Sequence, residues 1–265
     1  MRDIACFGSC CIDYYVNLEN GTPFVGGGPL NMAVHISLHD LDASFIGCIG
    51  TDAYGKLVLH KLTEKNINTD HLHILCGKTA VSEVELHGEE RILGEYEEGV
   101  MQDFVLSEED IAFIRKHKIA ITDLWGNQTE CMKQIKHDGI LLGFDAADRP
   151  DDPVALGALP YTDIFFFSSD EPLKETQTKM NEIYEKGPEI VVAMRGKQGS
   201  VVRDRDGFHF YDIIENRQVI DSLGAGDSYI AGFLSGLIQK ETIEQCMRMG
   251  AEEASETLSY HGAFQ

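Results

Sequence analysis

Nowhere does the sequence stay apolar for the roughly 20 residues that a bilayer-spanning helix needs, so no membrane anchor is expected. The opening Met1 to Gly8 is too short and too acidic for a secretory signal. Positive charge is also scarce: 22 Lys and Arg stand against 44 Asp and Glu, a formal net charge of −22. A field of that sign repels a nucleic-acid duplex and an anionic membrane, and neither is an expected partner. The seven cysteines (Cys6, Cys10, Cys11, Cys48, Cys76, Cys131 and Cys246) include no CxxC pair. That argues against a zinc site or a disulfide framework, and the expectation is reduced thiols in a cytoplasmic protein. Two catalytic signatures are missing too. No GxGxxG follows the first apolar run, and no GxSxG elbow occurs, so dinucleotide binding and serine-hydrolase chemistry have no support.

What remains is an ordinary soluble-type composition over 265 residues, with no repeat, low-complexity tract or long linker. Ile4 to Gly8 reads as a first strand, Pro29 to Leu41 as a helix opened by three glycines, Ser44 to Ile49 as a strand and Ala53 to Lys65 as a helix. Between about Leu72 and Tyr96 the pattern turns to period two, with a turn at His87-Gly88-Glu89-Glu90. The stretches around 12–25 and 79–98 therefore read as a small β-layer on a larger body. From Ser107-Glu108-Glu109-Asp110, which reads as a capping box, strands and helices alternate. The expected strands are Ile119 to Trp125, Ile140 to Asp145, Ile164 to Phe167 and Glu189 to Met194. A helix is expected at Glu130 to Asp138, and another after Phe167 through about Lys186. Such βαβα alternation implies an α/β fold with a mostly parallel sheet between helices.

Three constellations carry possible chemistry. In Asp221-Ser222-Leu223-Gly224-Ala225-Gly226-Asp227, two glycines flank an alanine just before a helical stretch from about Ser228 to Gln239. Backbone N–H groups converging there suit phosphate oxygens, and Asp227 at the first turn can accept a proton from a hydroxyl. The same spacing also describes a plain N-capped turn. In Gly26-Gly27-Gly28-Pro29-Leu30-Asn31, glycines permit close backbone approach and the Asn31 amide can bond sugar hydroxyls. A flexible turn before a helix reads equally well. Arg195-Gly196-Lys197-Gln198-Gly199 is either an edge hairpin turn or a nucleotide-contacting loop at the carboxyl end of a strand. Glu171 in Ser168-Ser169-Asp170-Glu171 either reaches Mg²⁺ through water or simply opens a helix. His35 and His39, four apart and lacking a third ligand, read as packing histidines, and Cys10-Cys11 as buried packing.

Taken together, Gly27 and Asn31 near the start and the Asp221 to Asp227 block about 190 residues later resemble the ribokinase-like (PfkB) carbohydrate kinases across the whole chain. The resemblance implies a single ribokinase-like domain over residues 1–265, with the β-layer at 12–25 and 79–98 as its lid. It implies ATP-dependent phosphorylation of a sugar hydroxyl, with Asp227 as base and Gly224, Ala225 and Gly226 as anion hole. Asp13, Gly27, Gly28 and Asn31 would hold the sugar, and Arg195, Gly196, Gly199 and Ser168 would lie near ATP. Mg²⁺ near Glu171, a monovalent cation such as K⁺ near Asp221 and a homodimer formed through the lid also follow from it. Longer matches, including Val84 to His87 through Arg91, Gly94 to Met101, Trp125-Gly126 and Tyr260 to Ala263, are similar to the fructoselysine 6-kinase subfamily. That likeness implies transfer to the 6-hydroxyl of fructosyl-lysine and adds Tyr96 as a substrate contact. Four positions depart from the family pattern: Ser222 for Thr, Ser168 for Asn, Ala147 for Asn, and Cys11 where a polar residue is frequent. The lid glutamates Glu83, Glu85, Glu95, Glu97 and Glu98 either attract a cationic sugar or form a solvated acidic face. The alternatives left open are a kinase for ribose, fructose, a keto-deoxy sugar acid or a nucleoside, and a non-catalytic sugar sensor of the same fold.

Overall fold

The computed structural model describes residues 1–265 apart from Asn20, Glu89, Asn127, Asp138 and residues 216–218, and the side chain of Glu90. Its main sheet is built on β1 (Arg2–Phe7), β4 (Ala43–Gly50), β5 (Leu72–Leu75), β8 (His117–Asp123), β9 (Leu141–Asp145), β10 (Ile164–Ser168) and β11 (Ile190–Met194). These seven strands run parallel in the order β11-β10-β9-β8-β1-β4-β5, and the hairpin β12 (Ser200–Asp204) and β13 (Gly207–Tyr211) adds two antiparallel strands beyond β11. Central strands buried on both faces need continuous apolar runs, which Ile164-Phe165-Phe166-Phe167 and Val191-Val192-Ala193 supply.

The helices are α1 (Gly28–Ser37), α2 (Ala53–Glu64), α3 (Glu108–Ile114), α4 (Thr129–Ile135), α5 (Pro153–Ala158), α6 (Leu173–Tyr184), α7 (Ala225–Gln239) and α8 (Ile243–Thr257). Helix α7 presents Phe233 edge-on to Phe166 of β10 at 5.7 Å between ring centres, which seats it against the sheet. The capping box at Ser107 and Asp110 forms as expected, and a second one joins Thr242 to Gln245 at the start of α8. Helix α1 stops at Ser37 rather than continuing to Leu41, because the chain turns through Asp40 at φ 57° to enter β4.

A second sheet of four strands has the order β3-β2-β6-β7, from β2 (Cys11–Tyr15), β3 (Thr22–Gly26), β6 (Ala80–His87) and β7 (Glu90–Glu97). Its register places Phe24, Asp13, Ser82 and Tyr96 in one row across the strands. Directly paired residues share a face, so this row projects from one side of the layer. Tyr15 and Val84, both with no exposed surface, pack with Leu223 between this layer and the loop before α7. Beneath that contact, Asp221 (0% exposed) accepts hydrogen bonds from the Tyr15 hydroxyl, the Leu223 N–H at 3.0 Å and the Gly262 N–H at 3.0 Å. One carboxylate therefore ties the small sheet, the loop before α7 and the C-terminal segment together.

Two further readings from sequence need correction. The strand expected to reach Trp125 ends at Asp123, because the Asp123 carboxylate accepts the Gly126 N–H at 2.8 Å and bends residues 124–126 into a 3-10 turn. The helix expected to reach Asp138 ends at Ile135, and Asp138 itself lies outside the described residues.

Ala147 follows β9 with φ 51°, a left-handed conformation that costs an alanine about 1–2 kcal/mol and an asparagine less. Ala147→Asn is therefore expected to raise stability by about 1 kcal/mol, a gain of roughly 2–4 °C in the melting midpoint for a chain of this size. A midpoint that stays put or falls in thermal denaturation would show that the surrounding loop already relieves the strain.

Candidate active site

The carboxyl ends of the parallel strands, the N-termini of α1 and α7 and the inner side of the small sheet converge on one region, where open α/β sheets take their ligands. The meeting of the two helices is held by a hydrogen bond. Asn31, in the first turn of α1, donates its side-chain N–H to Asp227 Oδ2 at 2.8 Å. Asn31 is 3% exposed and its Oδ1 has no partner, which leaves an acceptor in place for a hydroxyl or ammonium donor.

Helix α7 begins at Ala225, so Gly226 and Asp227 lie within its first turn. Gly224 caps it at φ 76°, a conformation suited to glycine, and a Cβ there would press on Ala263. Ala225 already directs its N–H to the Ser222 carbonyl at 3.4 Å. The first-turn N–H groups of Gly226 and Asp227 have no acceptor within the helix by geometry, and donors left so at a helix N-terminus suit an anion. Burial lifts the Asp227 carboxyl above the usual aspartate range, while Asn31 and the charges of Arg91 and His35 hold it down.

Three more carboxylates approach Asp227. Asp13 stands on β2 opposite Phe24, with its carboxylate lying over Gly26, and is pushed up to about 7 by burial, against the pull of Arg91. A side chain at position 26 would collide with the Asp13 carboxylate, so Gly26 is required by packing. Asp123 ends β8, is 2% exposed, and is raised to about 7 by burial and the neighbouring Asp227 charge, against its bond from Ser9 Oγ at 2.6 Å. Asp145, its register partner at the end of β9, is also raised by burial and by Asp227. Gly28 looks onto this group: a Cβ built there would lie 3.0 Å from Asp123 Oδ2 and 3.4 Å from Asp227 Oδ1. Tyr96 shares the row of Asp13 and Ser82 on the small sheet, and burial, together with Cys11 and Asp123, pushes its phenol up although the residue is 43% exposed.

On the other side of Asp227 lies a cleft of about 780 Å³. Ser168, Gly196, Gly199, Ala225 and Gly226 line it, and Tyr229, Ala251, Ala254 and Leu258 give it an apolar wall between α7 and α8. Gly199 has φ 77° and sits against the Tyr211 carbonyl, which brings residues 196–199 to the edge of the cleft. Arg195 plays a different part from the one its position implied. It is 6% exposed and donates to the Glu171 carbonyl at 3.0 Å and to Gln198 Oε1 at 2.5 Å, so it braces the loop from behind. Glu171 is exposed beside Asp170, which lines the cleft.

The sequence-derived set thus falls into two neighbouring spaces. Asp13, Gly28, Asn31 and Tyr96 border the first, Ser168, Gly196 and Gly199 the second, and Gly226-Asp227 stands between them. Gly27 shapes the turn beneath the first, with φ 106° against the Cys10 backbone. Asp123, Asp145, Gly26 and Arg91 were not singled out as site residues, although an Asp at the carboxyl end of an apolar strand was a readable signal. His35 on α1 and His39 just beyond its end are packing residues, sharing Glu253 at 3.1 Å each.

A carboxylate at Asp227 beside free N–H groups at the start of α7 is an arrangement that suits in-line phosphoryl transfer to a hydroxyl. Comparison with known proteins points the same way. Fructoselysine 6-kinase of Shigella flexneri is 36% identical over 265 residues, the full length of both chains. The protein of that name from Escherichia coli strain K12 is 35% identical over the same span. A solved structure of Arabidopsis thaliana ribokinase, complexed with ribose and ATP, superposes with a TM-score of 0.89 at 21% identity, covering 99% of this chain and 94% of that one. The model of the pfkB family carbohydrate kinases matches residues 1–265, and the chain belongs to that family.

Proposed function

We propose that this carbohydrate kinase transfers the γ-phosphoryl group of ATP to the 6-hydroxyl of a fructosamine, fructosyl-lysine foremost, with Asp227 as general base. The observation that carries the substrate class is the acceptor space itself, bordered by the carboxylates Asp13, Asp123 and Asp227. A fructosamine carries a protonated amine near neutral pH and offsets that charge, as a neutral hexose does not. The two full-length relatives named fructoselysine 6-kinase support the same substrate.

In this reading Asn31 and Asp13 orient the sugar, and Asp227 receives the proton of the attacking hydroxyl. The N–H groups at Gly226 and Asp227, with the Gly224 turn behind them, hold the phosphate oxygens, and the apolar wall from Tyr229 to Leu258 takes the adenine. Residues Gly196 and Gly199 border the nucleotide, and Arg195 fixes their loop. The small sheet acts as the lid and excludes water, which competes for the phosphoryl group. Its strand β7 leaves Ile92 and Leu93 55% and 57% exposed, surface available for lid-to-lid pairing into a homodimer.

Among the described residues no group of three or more His, Cys, Asp or Glu side chains could hold a metal ion alone. Mg²⁺ needs no such group, since it keeps several waters and binds through substrate phosphates with one or two carboxylates. Bound with the nucleotide, Mg²⁺ offsets phosphate charge, and Glu171, its backbone held by Arg195, would reach it through water. A monovalent cation beside Asp221 would rest on backbone carbonyls, since that carboxylate already accepts three hydrogen bonds. Among the described residues no helix is long and apolar enough to cross a membrane.

The test is ADP release from Mg-ATP with fructosyl-lysine, fructose, ribose, a keto-deoxy sugar acid and a nucleoside. Turnover on fructosyl-lysine at least about tenfold more efficient than on the others is the expected result, a margin of about 1.4 kcal/mol. Preference for a neutral sugar would keep the kinase and remove the fructosamine. Silence on every acceptor would favour the sensor.

A further inference from the structure

We propose that Arg91 is the lid residue that steadies the transferring phosphoryl group, so that charge compensation is delivered only when the lid is closed. This rests on the kinase reading of Asp227 given above. Arg91 belongs to β7, opposite Leu86, and is therefore carried by the lid. Its guanidinium crosses to the main body, where Nη1 donates to the Ser222 carbonyl at 3.0 Å, in the loop that opens α7. It lines the nucleotide cleft together with Ser222, Ala225 and Gly226. It also acts on the acceptor side, since its charge favours the ionised forms of both Asp13 and Asp227. Arg91 thus lines the nucleotide half of the site and acts by charge on the acceptor half, at the junction a phosphoryl group must pass.

The chemistry suits the position. A guanidinium offers five N–H donors in a planar fork, and the Ser222 carbonyl engages one side of it. The side chain that carries the remaining donors lines the cleft with Ala225 and Gly226, where phosphate oxygens are expected. In the transfer, the acceptor hydroxyl oxygen forms a bond to the γ-phosphorus and the bond from that phosphorus to the bridging oxygen breaks. The electron pair leaves with ADP and the hydroxyl proton passes to Asp227. Arg91 neither gains nor loses a proton. It offsets charge on the oxygens of the moving group, a contribution worth most in a water-excluded site. With 22 cationic side chains against 44 acidic ones in the chain, a cation at this junction also counters the repulsion between ATP and the acidic acceptor space. An open lid withdraws that cation, so ATP bound without a sugar is protected from water.

Arg91→Gln and Arg91→Lys test the assignment by steady-state kinetics on the full chain, with fructosyl-lysine and with fructose. For Arg91→Gln, kcat is expected to fall about tenfold to thirtyfold with either acceptor, the loss for one charged hydrogen-bonding group. The KM of each sugar should stay within about threefold. Arg91→Lys should recover part of kcat, and guanidinium ion should partly rescue an Arg91→Ala variant. A merely structural tie to Ser222 predicts instead a lowered melting midpoint, no rescue and no difference between Lys and Gln. A change confined to the KM of fructosyl-lysine would make Arg91 a contact of the substrate's carboxylate and overturn the proposal. An active wild type whose Arg91→Gln variant keeps its kcat overturns this proposal alone; a wild type inactive on every acceptor overturns the kinase reading and this one with it.

Discussion

Asp227→Asn is expected to lower kcat by about a thousandfold while the KM values for ATP and sugar stay within about threefold. The substitution preserves shape and keeps an acceptor for the Asn31 side chain, whose 2.8 Å bond sets the carboxylate's orientation. What it removes is the capacity to receive a proton. The effect should therefore fall on the chemical step and spare binding. Asp227 is raised above the ordinary aspartate range by burial, so its base form is lost as pH falls through that raised value. Wild-type kcat should consequently fall toward acid from a higher pH than an exposed aspartate would give, and the residual kcat of Asp227→Asn should lack that limb. Single-turnover measurement of phosphorylated sugar separates this from slow product release. A variant that retains a tenth of the wild-type rate would mean that Asp227 only positions the hydroxyl and that solvent takes the proton.

Much of this geometry was readable from residue order, and the unread parts share a physical cause. Asn31 and Asp227 lie 196 positions apart, yet each falls in the first turn of a glycine-opened helix, a local signal. The parallel sheet followed from βαβα alternation, and its buried central strand from the apolar run through Phe165 to Phe167. Less visible were features made by long-range contact. Asp123 is one carboxylate among 44 acidic residues until the sheet sets it beside Ser9 and Asp227. Arg91 carried no role of its own in the sequence until the small sheet brought it to Ser222, 131 positions away. Arg195 was placed near the nucleotide by its loop, and that loop lines the cleft, but its guanidinium turns to the Glu171 carbonyl. The start of α8 was an avoidable miss, since Thr242 and Gln245 carry the capping-box spacing in plain view.

Asp123→Asn should discriminate between acceptors more sharply than any other change in the site. Its efficiency on fructosyl-lysine is expected to fall about a hundredfold, mostly in KM, while efficiency on fructose stays within about threefold. Asparagine keeps the volume and can still accept the Gly126 N–H that the native Oδ1 takes at 2.8 Å, so the turn after β8 should persist. The negative charge is what goes. Burial and the Asp227 charge already push the native carboxyl up to about 7, so it is only partly ionised in the free protein. A cationic amine placed against it favours ionisation, and a proton is released on binding near neutral pH. Affinity for fructosyl-lysine should therefore strengthen as pH rises through about 7, and calorimetry in buffers of differing ionisation enthalpy should register the released proton. Both signatures should vanish in Asp123→Asn and be absent for fructose in the wild type. Equal losses on both acceptors would reduce Asp123 to a structural support of the Ser9 loop. No loss on either would move amine recognition outward to the lid glutamates, where replacement of Glu83, Glu85, Glu95, Glu97 and Glu98 by glutamine would then have to raise the KM for fructosyl-lysine. The two locations differ in salt response, because a buried pair is weakly screened and an exposed acidic face strongly so. A KM insensitive to salt but sensitive to Asp123 would place the specificity of this kinase at the floor of its acceptor space.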